Sequence, residues 1–177
     1  MLTDGYTRRG FATRLASLLA FTPVAGRGIY ARLSSPADEV SRTAESIHQE
    51  VTINATPRRV YQALLDAKQF SAMTAFSTVP KAPPAQIAHE VGGPFALFGG
   101  HILGRHLELV PDQRIVQAWR VADWEAGIYS IARFRLKGQA SKTVILFDHT
   151  GFPNGLGQHL ASGWHANYWA PLRKYLA

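Results

Sequence analysis

The feature that most constrains the fold is an apolar repeat of four residues at the C-terminus. It follows a glycine- and proline-containing turn at 151–155 and runs through Leu156, Leu160, Trp164, Tyr168, Leu172 and Leu176. Side chains at this spacing drift by only about 40° per step around an α-helix, so they share one face. The repeat predicts one long helix with a broad apolar face. Pro171 lacks an amide hydrogen, so we expect the helix to bend where the Asn167 carbonyl loses its partner.

Upstream of this helix, the chain alternates between strand-like segments and turns. Polar and apolar residues alternate over 48–53, which predicts a first strand. Thr56 and Pro57 have the cap and first-turn chemistry of a helix, and a second short helix is expected from Asp66. Glycine- and proline-containing turns separate six further predicted strands, at 85–91, 95–98, 101–109, 114–121, 128–137 and 142–149.

These elements predict an α+β domain built on one antiparallel sheet of about seven strands. A single sheet of this size must bury one face, and the long helix is the element able to cover it. We therefore expect a curved sheet wrapped around a long C-terminal helix, with two short helices after the first strand. A cavity between sheet and helix is where a function would lie.

The first 31 residues have the build of an export signal. Thr7, Arg8, Arg9 and Phe11 match the twin-arginine pattern Ser/Thr-Arg-Arg-x-Phe-Leu-Lys, although the two residues after Phe11 depart from it. A short apolar run at 15–24 and several small residues follow. We predict an export signal at 1–31, a polar linker at 32–46 and the folded domain at 47–177. The alternative is an amphipathic helix that belongs to the fold.

This prediction implies a periplasmic protein whose Arg8 and Arg9 engage the twin-arginine export machinery. No run of 18 apolar residues is present, so no stable membrane anchor is expected. The net charge of +7 divides into +3 for residues 1–31 and +4 for the remainder, without a run of basic residues. That distribution gives no support to nucleic-acid binding.

Metal and cofactor sites are not expected. The chain has no cysteine, so neither a disulfide nor a thiolate ligand is available. His101 and His106 are five apart on a predicted strand and so face opposite sides of the sheet. His159 and His165 are six apart on a predicted helix and lie well separated around it.

Several motifs, in order, resemble the domain family named after the activator of the heat-shock-protein-90 ATPase. They are GGPFALFGG (92–100), ELVP (108–111), RIVQAWR (114–120), HTGFP (149–153), GWH (163–165) and YWAPL (168–172). The resemblance implies a START-like (SRPBCC) helix-grip fold over residues 47–177, whose relatives often hold apolar ligands between sheet and C-terminal helix. Some relatives are cyclases. The namesake co-chaperone has an additional N-terminal domain where this chain has the predicted leader, so the resemblance implies fold more than chaperone activation.

Aromatic residues are the best candidates for the wall of such a cavity, because they combine apolar area with a polar tip. We predict that Phe98, Trp119, Tyr129, Trp164 and Tyr168 bind the ligand. Gly163 is expected to let the helix backbone approach a strand. No catalytic residue is assigned. Ser130 and Ser162 lack a nucleophile motif of the Gly-x-Ser-x-Gly kind. The candidates for acid–base chemistry are Arg120, Asp148, His149, His165 and Tyr168, and we expect each to be a surface or structural group.

Residues 74–84 form a proline-rich loop before the predicted sheet, and loops of this length are often functional. Met73, Phe76 and Val79 place apolar side chains on or beside it. They either close over the cavity as a lid, which we favour, or form a surface for a partner.

The leading hypothesis is an exported, non-catalytic protein that binds a small hydrophobic or amphipathic molecule. The alternatives are a cyclase- or hydrolase-like enzyme using the same cavity, and a protein-binding, co-chaperone-like module. Two or more buried titratable groups that converge in the cavity would favour the enzyme. An apolar cavity would favour ligand carriage, and a collapsed interior with an exposed apolar patch would favour a protein partner.

Overall fold

The computed structural model describes residues 45–177, so the predicted export signal and all but the end of the predicted linker lie outside the described residues. The elements in chain order are β1 (Ser46–Ile53), α1 (Pro57–Leu65), α2 (Ala67–Thr74), β2 (Gln86–Ile87), β3 (Pro94–Leu97), β4 (Ile102–Val110), β5 (Arg114–Val121), β6 (Ser130–Gln139), β7 (Lys142–Thr150), α3 (Gly157–Trp164) and α4 (Ala170–Leu176). A π turn at His165–Trp169 joins α3 to α4.

The seven strands form one antiparallel sheet in the order β1-β7-β6-β5-β4-β3-β2. Strands β2 to β7 follow one another as a meander, whereas β1 pairs with β7 at the opposite edge. The sheet curves around the C-terminal helix, and the two short helices follow β1. The predicted α+β helix-grip architecture is confirmed.

The two short helices begin where the sequence places their caps. The Thr56 hydroxyl faces the amide of Arg59, and Pro57 occupies the first turn of α1. The Asp66 carboxylate accepts a hydrogen bond of 2.8 Å from the Gln69 amide at the start of α2. Met73 is fully buried on α2. It therefore belongs to the core and not to the apolar surface of the following loop.

The C-terminal helix accommodates Pro171 through the π turn that precedes it. In this wider turn, the Ala170 amide donates to the His165 carbonyl, five residues back. Tyr168 and Trp169 are adjacent in the chain, yet both are buried. The repeat of four therefore identifies the buried face, but it does not reveal the change of helix type within it.

Strand β2 is much shorter than the predicted segment 85–91. Gln86 and Ile87 form the strand pairing with β3, and the Ala88 amide adds one hydrogen bond to the Pro94 carbonyl. The chain then leaves the ladder, because Gly92 has a φ of 83° and its amide donates to the His106 carbonyl of β4. The His106 amide in turn donates to the Gly93 carbonyl, which fixes this loop against β4.

A close contact between neighbouring strands depends on Gly104. A Cβ atom at this position would lie 2.2 Å from both the Ala118 carbonyl oxygen and the Phe95 ring. Only glycine fits this contact without a shift of backbone or ring. Within residues 45–177, no helix is both long and apolar enough to cross a membrane.

Candidate functional site

A cavity of about 200 Å³ lies between the sheet and the C-terminal helix. The sheet side is formed by Ile102 at the start of β4 and by Trp119 and Val121 at the end of β5. These positions face inward because strand side chains alternate between the two faces. Most of the wall is apolar. The cavity therefore lies where the helix-grip fold predicts it.

The helix side of the cavity is formed by Leu160, Gly163, Trp164 and Tyr168. The spacing of Leu160, Trp164 and Tyr168 keeps them on the face that the sheet covers. Gly163 does not bring the helix backbone against a strand, contrary to prediction. A Cβ at Gly163 would meet no atom within 4 Å, so this glycine leaves open space at the cavity wall.

The structure brings four of the five predicted ligand-binding residues together. Phe98, Trp119, Trp164 and Tyr168 line the cavity, but Tyr129 does not. Tyr129 precedes β6, is 47% exposed and packs its ring 5.5 Å from the Arg120 guanidinium carbon. Its neighbour Ser130 is the residue that faces the interior. The assignment of Tyr129 to the cavity wall is therefore corrected.

Two polar atoms on cavity-lining residues have no hydrogen-bond partner of good geometry. They are the indole nitrogen Nε1 of Trp119 and the hydroxyl oxygen of Tyr168. Trp119 and Tyr168 are 3% and 6% exposed, respectively, so both atoms are shielded from bulk solvent. Burial raises the pKa of the Tyr168 phenol, and a hydrogen-bonding interaction with the Trp119 indole, too poorly aligned to count as a full hydrogen bond, opposes this rise only in part. The phenol therefore remains protonated.

Behind the cavity wall, His149 forms a fully buried polar chain. The Trp164 indole donates to His149 Nδ1 over 2.9 Å, so this nitrogen carries no hydrogen. His149 Nε2 must then donate to the Ser130 oxygen at 2.7 Å, and the Ser130 hydroxyl donates to the Trp119 carbonyl at 2.8 Å. Burial lowers the pKa of His149 to about 4, so the ring is neutral near pH 7.

The other polar residues considered for catalysis do not converge on the cavity. Arg120 donates to the carbonyls of Val121, Ala122 and Trp124 and so holds the β5–β6 connection. Asp148 bonds to His48 and Arg135 on the sheet. His165 is exposed and does not line the cavity.

The mouth of the cavity is more polar than its wall. His101, His159 and Asn167 lie there, together with Val79 from the loop after α2. The position of these residues could not be read from local periodicity, because they come from distant parts of the chain. Among residues 45–177, no cluster of three or more histidine, aspartate or glutamate side chains has the arrangement of a metal site.

The loop after α2 is attached to the helix at this mouth. Both the amide and the hydroxyl of Thr78 donate to the Asn167 side-chain oxygen, at 3.2 and 2.6 Å. Val79, which follows Thr78, lines the cavity while remaining 45% exposed. Phe76 is 49% exposed and lies 5.7 Å from the Lys174 ammonium group. The loop therefore covers one side of the opening.

The sequence matches a protein-family model and is similar to curated proteins. The family model described as "Activator of Hsp90 ATPase homolog 1-like protein" matches residues 54–177. The chain is 31% identical to the Schizosaccharomyces pombe "Uncharacterized protein C1711.08" over 121 residues, which are 68% of this chain and 34% of that protein. It is 26% identical to mouse "Activator of 90 kDa heat shock protein ATPase homolog 2" over 52% of this chain and 28% of that protein.

Solved structures agree at the level of fold. An HSP90 activator from Plasmodium falciparum, PFC0360w, is similar with a TM-score of 0.63 and 24% identity, over 70% of this chain and 89% of that chain. The chain spans about a third of the length of the curated relatives it matches. The family match covers more than half of the chain and includes every element after β1. The chain therefore belongs to the Activator of Hsp90 ATPase homolog 1-like family.

Proposed function

We propose that this protein binds a small hydrophobic molecule in the cavity between its sheet and its C-terminal helix. The observation that carries the proposal is the cavity itself, about 200 Å³ in volume, with walls built by aromatic and aliphatic side chains. An apolar cavity near this size is large enough for a ligand with one aromatic ring, since an engineered cavity of about 150 Å³ binds benzene.

Carriage is favoured over catalysis by the chemistry of the wall. Tyr168 is the only buried titratable side chain among the lining residues of the described chain. His149 lies behind Trp164, with both ring nitrogens in hydrogen bonds. An acid–base mechanism needs a group inside the cavity that exchanges protons with the ligand, and neither side chain meets this requirement. The lining histidines, His101 and His159, are exposed at the mouth.

A cavity-filling variant tests the proposal. Gly163→Leu places a side chain in open space at the cavity wall, and leucine is also the better helix former. We expect the variant to remain folded but to lose binding of toluene by about tenfold or more. Binding is followed in the ¹⁵N-labelled full chain through the indole N–H signals of Trp119 and Trp164.

The matched control is Ser162→Leu, which adds a leucine at the adjacent, exposed helix position. It should leave the toluene affinity within about twofold, because surface substitutions away from a site have small effects. Absence of toluene binding to the unmodified chain, or equal binding by Gly163→Leu, would overturn the proposal.

A second candidate is a protein-binding module of the kind named in the relatives. The observation that favours it is the pair of exposed apolar side chains, Phe76 and Val79, on the loop beside the cavity. On this alternative, Phe76 and Val79 contact a partner protein, and the cavity is incidental. Failure of the toluene experiment would make this candidate the leading one.

The proposal includes export to the periplasm through the twin-arginine route. Its support is the match of Thr7, Arg8, Arg9 and Phe11 to the pattern, followed by a short apolar run. A carrier of a hydrophobic molecule would act there on a ligand that dissolves poorly in the surrounding water.

A further inference from the structure

The cavity wall has more hydrogen-bond donors than acceptors at one point. Trp119 Nε1 is a donor only, and the Tyr168 hydroxyl contributes one hydrogen. Even if the indole were to donate to the phenol oxygen, the phenol hydrogen would remain without an acceptor. A buried donor without an acceptor is costly, and native proteins rarely keep one without a reason.

Nearby acceptors on the protein are already in use. The Trp119 carbonyl accepts from Ser130, and the Asn167 side-chain oxygen accepts twice from Thr78. His149 Nδ1 accepts from Trp164. An acceptor supplied by a molecule inside the cavity would satisfy the phenol hydrogen.

The charge of that molecule is limited by its surroundings. Most of the cavity lining is apolar, with Phe98, Ile102 and Leu160 among its residues, and no lysine or arginine lines the cavity within residues 45–177. An anion placed there would be buried without a paired charge, which is strongly unfavourable. A neutral oxygen acceptor avoids that cost.

We propose that the ligand is a neutral carbonyl compound whose oxygen accepts hydrogen bonds from Trp119 Nε1 and the Tyr168 hydroxyl, while its apolar part fills the cavity. This inference rests on the proposed function and specifies its ligand class. A single carbonyl oxygen has two lone pairs, so it satisfies both donors at once.

The test compares two probes of nearly the same shape, acetophenone and α-methylstyrene, in which C=CH₂ replaces C=O. Their affinities for the full chain are measured by NMR titration, and the ratio of the two dissociation constants is compared between variants. The two probes differ in hydration free energy, but this difference is the same for every variant and cancels when the ratios are compared. Tyr168→Phe keeps the ring and removes the hydroxyl.

We expect Tyr168→Phe to shift the ratio by about tenfold against acetophenone, as expected for the loss of one buried hydrogen bond. The Trp119 indole proton should move downfield with acetophenone but not with α-methylstyrene. Tyr129→Phe, the matched control, removes a hydroxyl outside the cavity and should leave the ratio unchanged.

The outcomes separate the two proposals. If both probes bind but Tyr168→Phe leaves the ratio unchanged, the carbonyl assignment is wrong and the cavity still binds apolar molecules. This is also the result expected if water satisfies the two donors. If neither probe binds to the unmodified chain, both proposals fail.

Discussion

Trp164 lines the cavity and also takes part in the buried hydrogen-bond chain of His149. Its ring lines the cavity, and it packs against Phe147 with ring centroids 4.4 Å apart and against Tyr168 at 4.2 Å. Its indole nitrogen is bonded to His149 and so belongs to the buried polar chain. The hydrogen bond that satisfies buried polar groups of the core therefore also holds Trp164 in place in the cavity wall.

The buried His149 makes stability depend on pH. Its pKa is lowered to about 4 in the folded protein, against about 6.5 when unfolded, so the unfolded chain binds the extra proton between these values. Stability is therefore full above about pH 6.5 and falls as the pH drops towards 4. We expect His149 to contribute a loss of roughly 2.5 kcal/mol between pH 7 and pH 4.5, measured by urea unfolding at these two pH values.

His149→Gln is the matched variant, because an amide keeps one donor and one acceptor but does not titrate in this range. In this variant, the free energy of unfolding should decrease less between pH 7 and pH 4.5. Part of the fall should remain, because burial also lowers the pKa of His106. An equally steep dependence in His149→Gln would show that this histidine is not the source.

At the scale of elements, the contact between the loop 75–85 and the C-terminal helix controls one side of the cavity mouth. The loop is joined to the π turn by two hydrogen bonds from Thr78 to the Asn167 side chain. Val79 is brought to the opening as a result. A helix residue thereby positions a loop that is 89 residues away in the chain.

Asn167→Ala removes the acceptor of both hydrogen bonds. Each bond contributes on the order of 1 kcal/mol, so local opening of the loop should become about fivefold or more frequent. Hydrogen exchange measured by mass spectrometry should show faster exchange in residues 75–85 and little change in the sheet.

Two further variants locate the effect. Asn167→Asp keeps an oxygen acceptor and should preserve the slow exchange of the loop. Asn154→Ala changes an exposed asparagine in the turn before α3 and should have no effect on residues 75–85. Unaltered exchange of the loop in Asn167→Ala would contradict a tether at this position.

At the scale of the whole molecule, the described domain and the N-terminal segment have separate predicted tasks. Residues 45–177 contain the seven strands described above and the C-terminal helix that they grip. The carboxylate of Glu45 accepts hydrogen bonds from the Gly155 and Gly157 amides at the start of α3. The last residues of the predicted linker therefore contact the start of α3.

Export is tested by replacing Arg8 and Arg9 with lysine in the full chain. The change keeps the charge but removes both guanidinium groups, which present a planar set of donors that lysine does not reproduce. We expect the double variant to stay in the cytosol, as determined by cell fractionation. A change of Arg14 and Arg27 to lysine serves as the control and should leave export intact. Periplasmic recovery of the Arg8 and Arg9 variant would refute the twin-arginine route.

The sequence by itself determined the order and type of nearly all elements in residues 45–177. Strands β4 to β7 and the C-terminal helix have long periodic patterns, and these patterns follow from backbone geometry that each segment carries alone. The predicted β2 is longer than the observed strand, because the end of the strand depends on hydrogen bonds between the Gly92–Gly93 turn and β4. The four aromatic residues of the cavity wall were identified from the same patterns and the family resemblance.

Only the tertiary structure decided which side chains meet. Tyr129 and Trp119 are both aromatic residues near strand ends, but one is exposed and the other lines the cavity. The open space beside Gly163 and the unpartnered donors of Trp119 and Tyr168 depend on how far apart the sheet and the helix lie. That distance is set by packing between segments far apart in the chain, whereas periodicity reports only the face on which each residue lies.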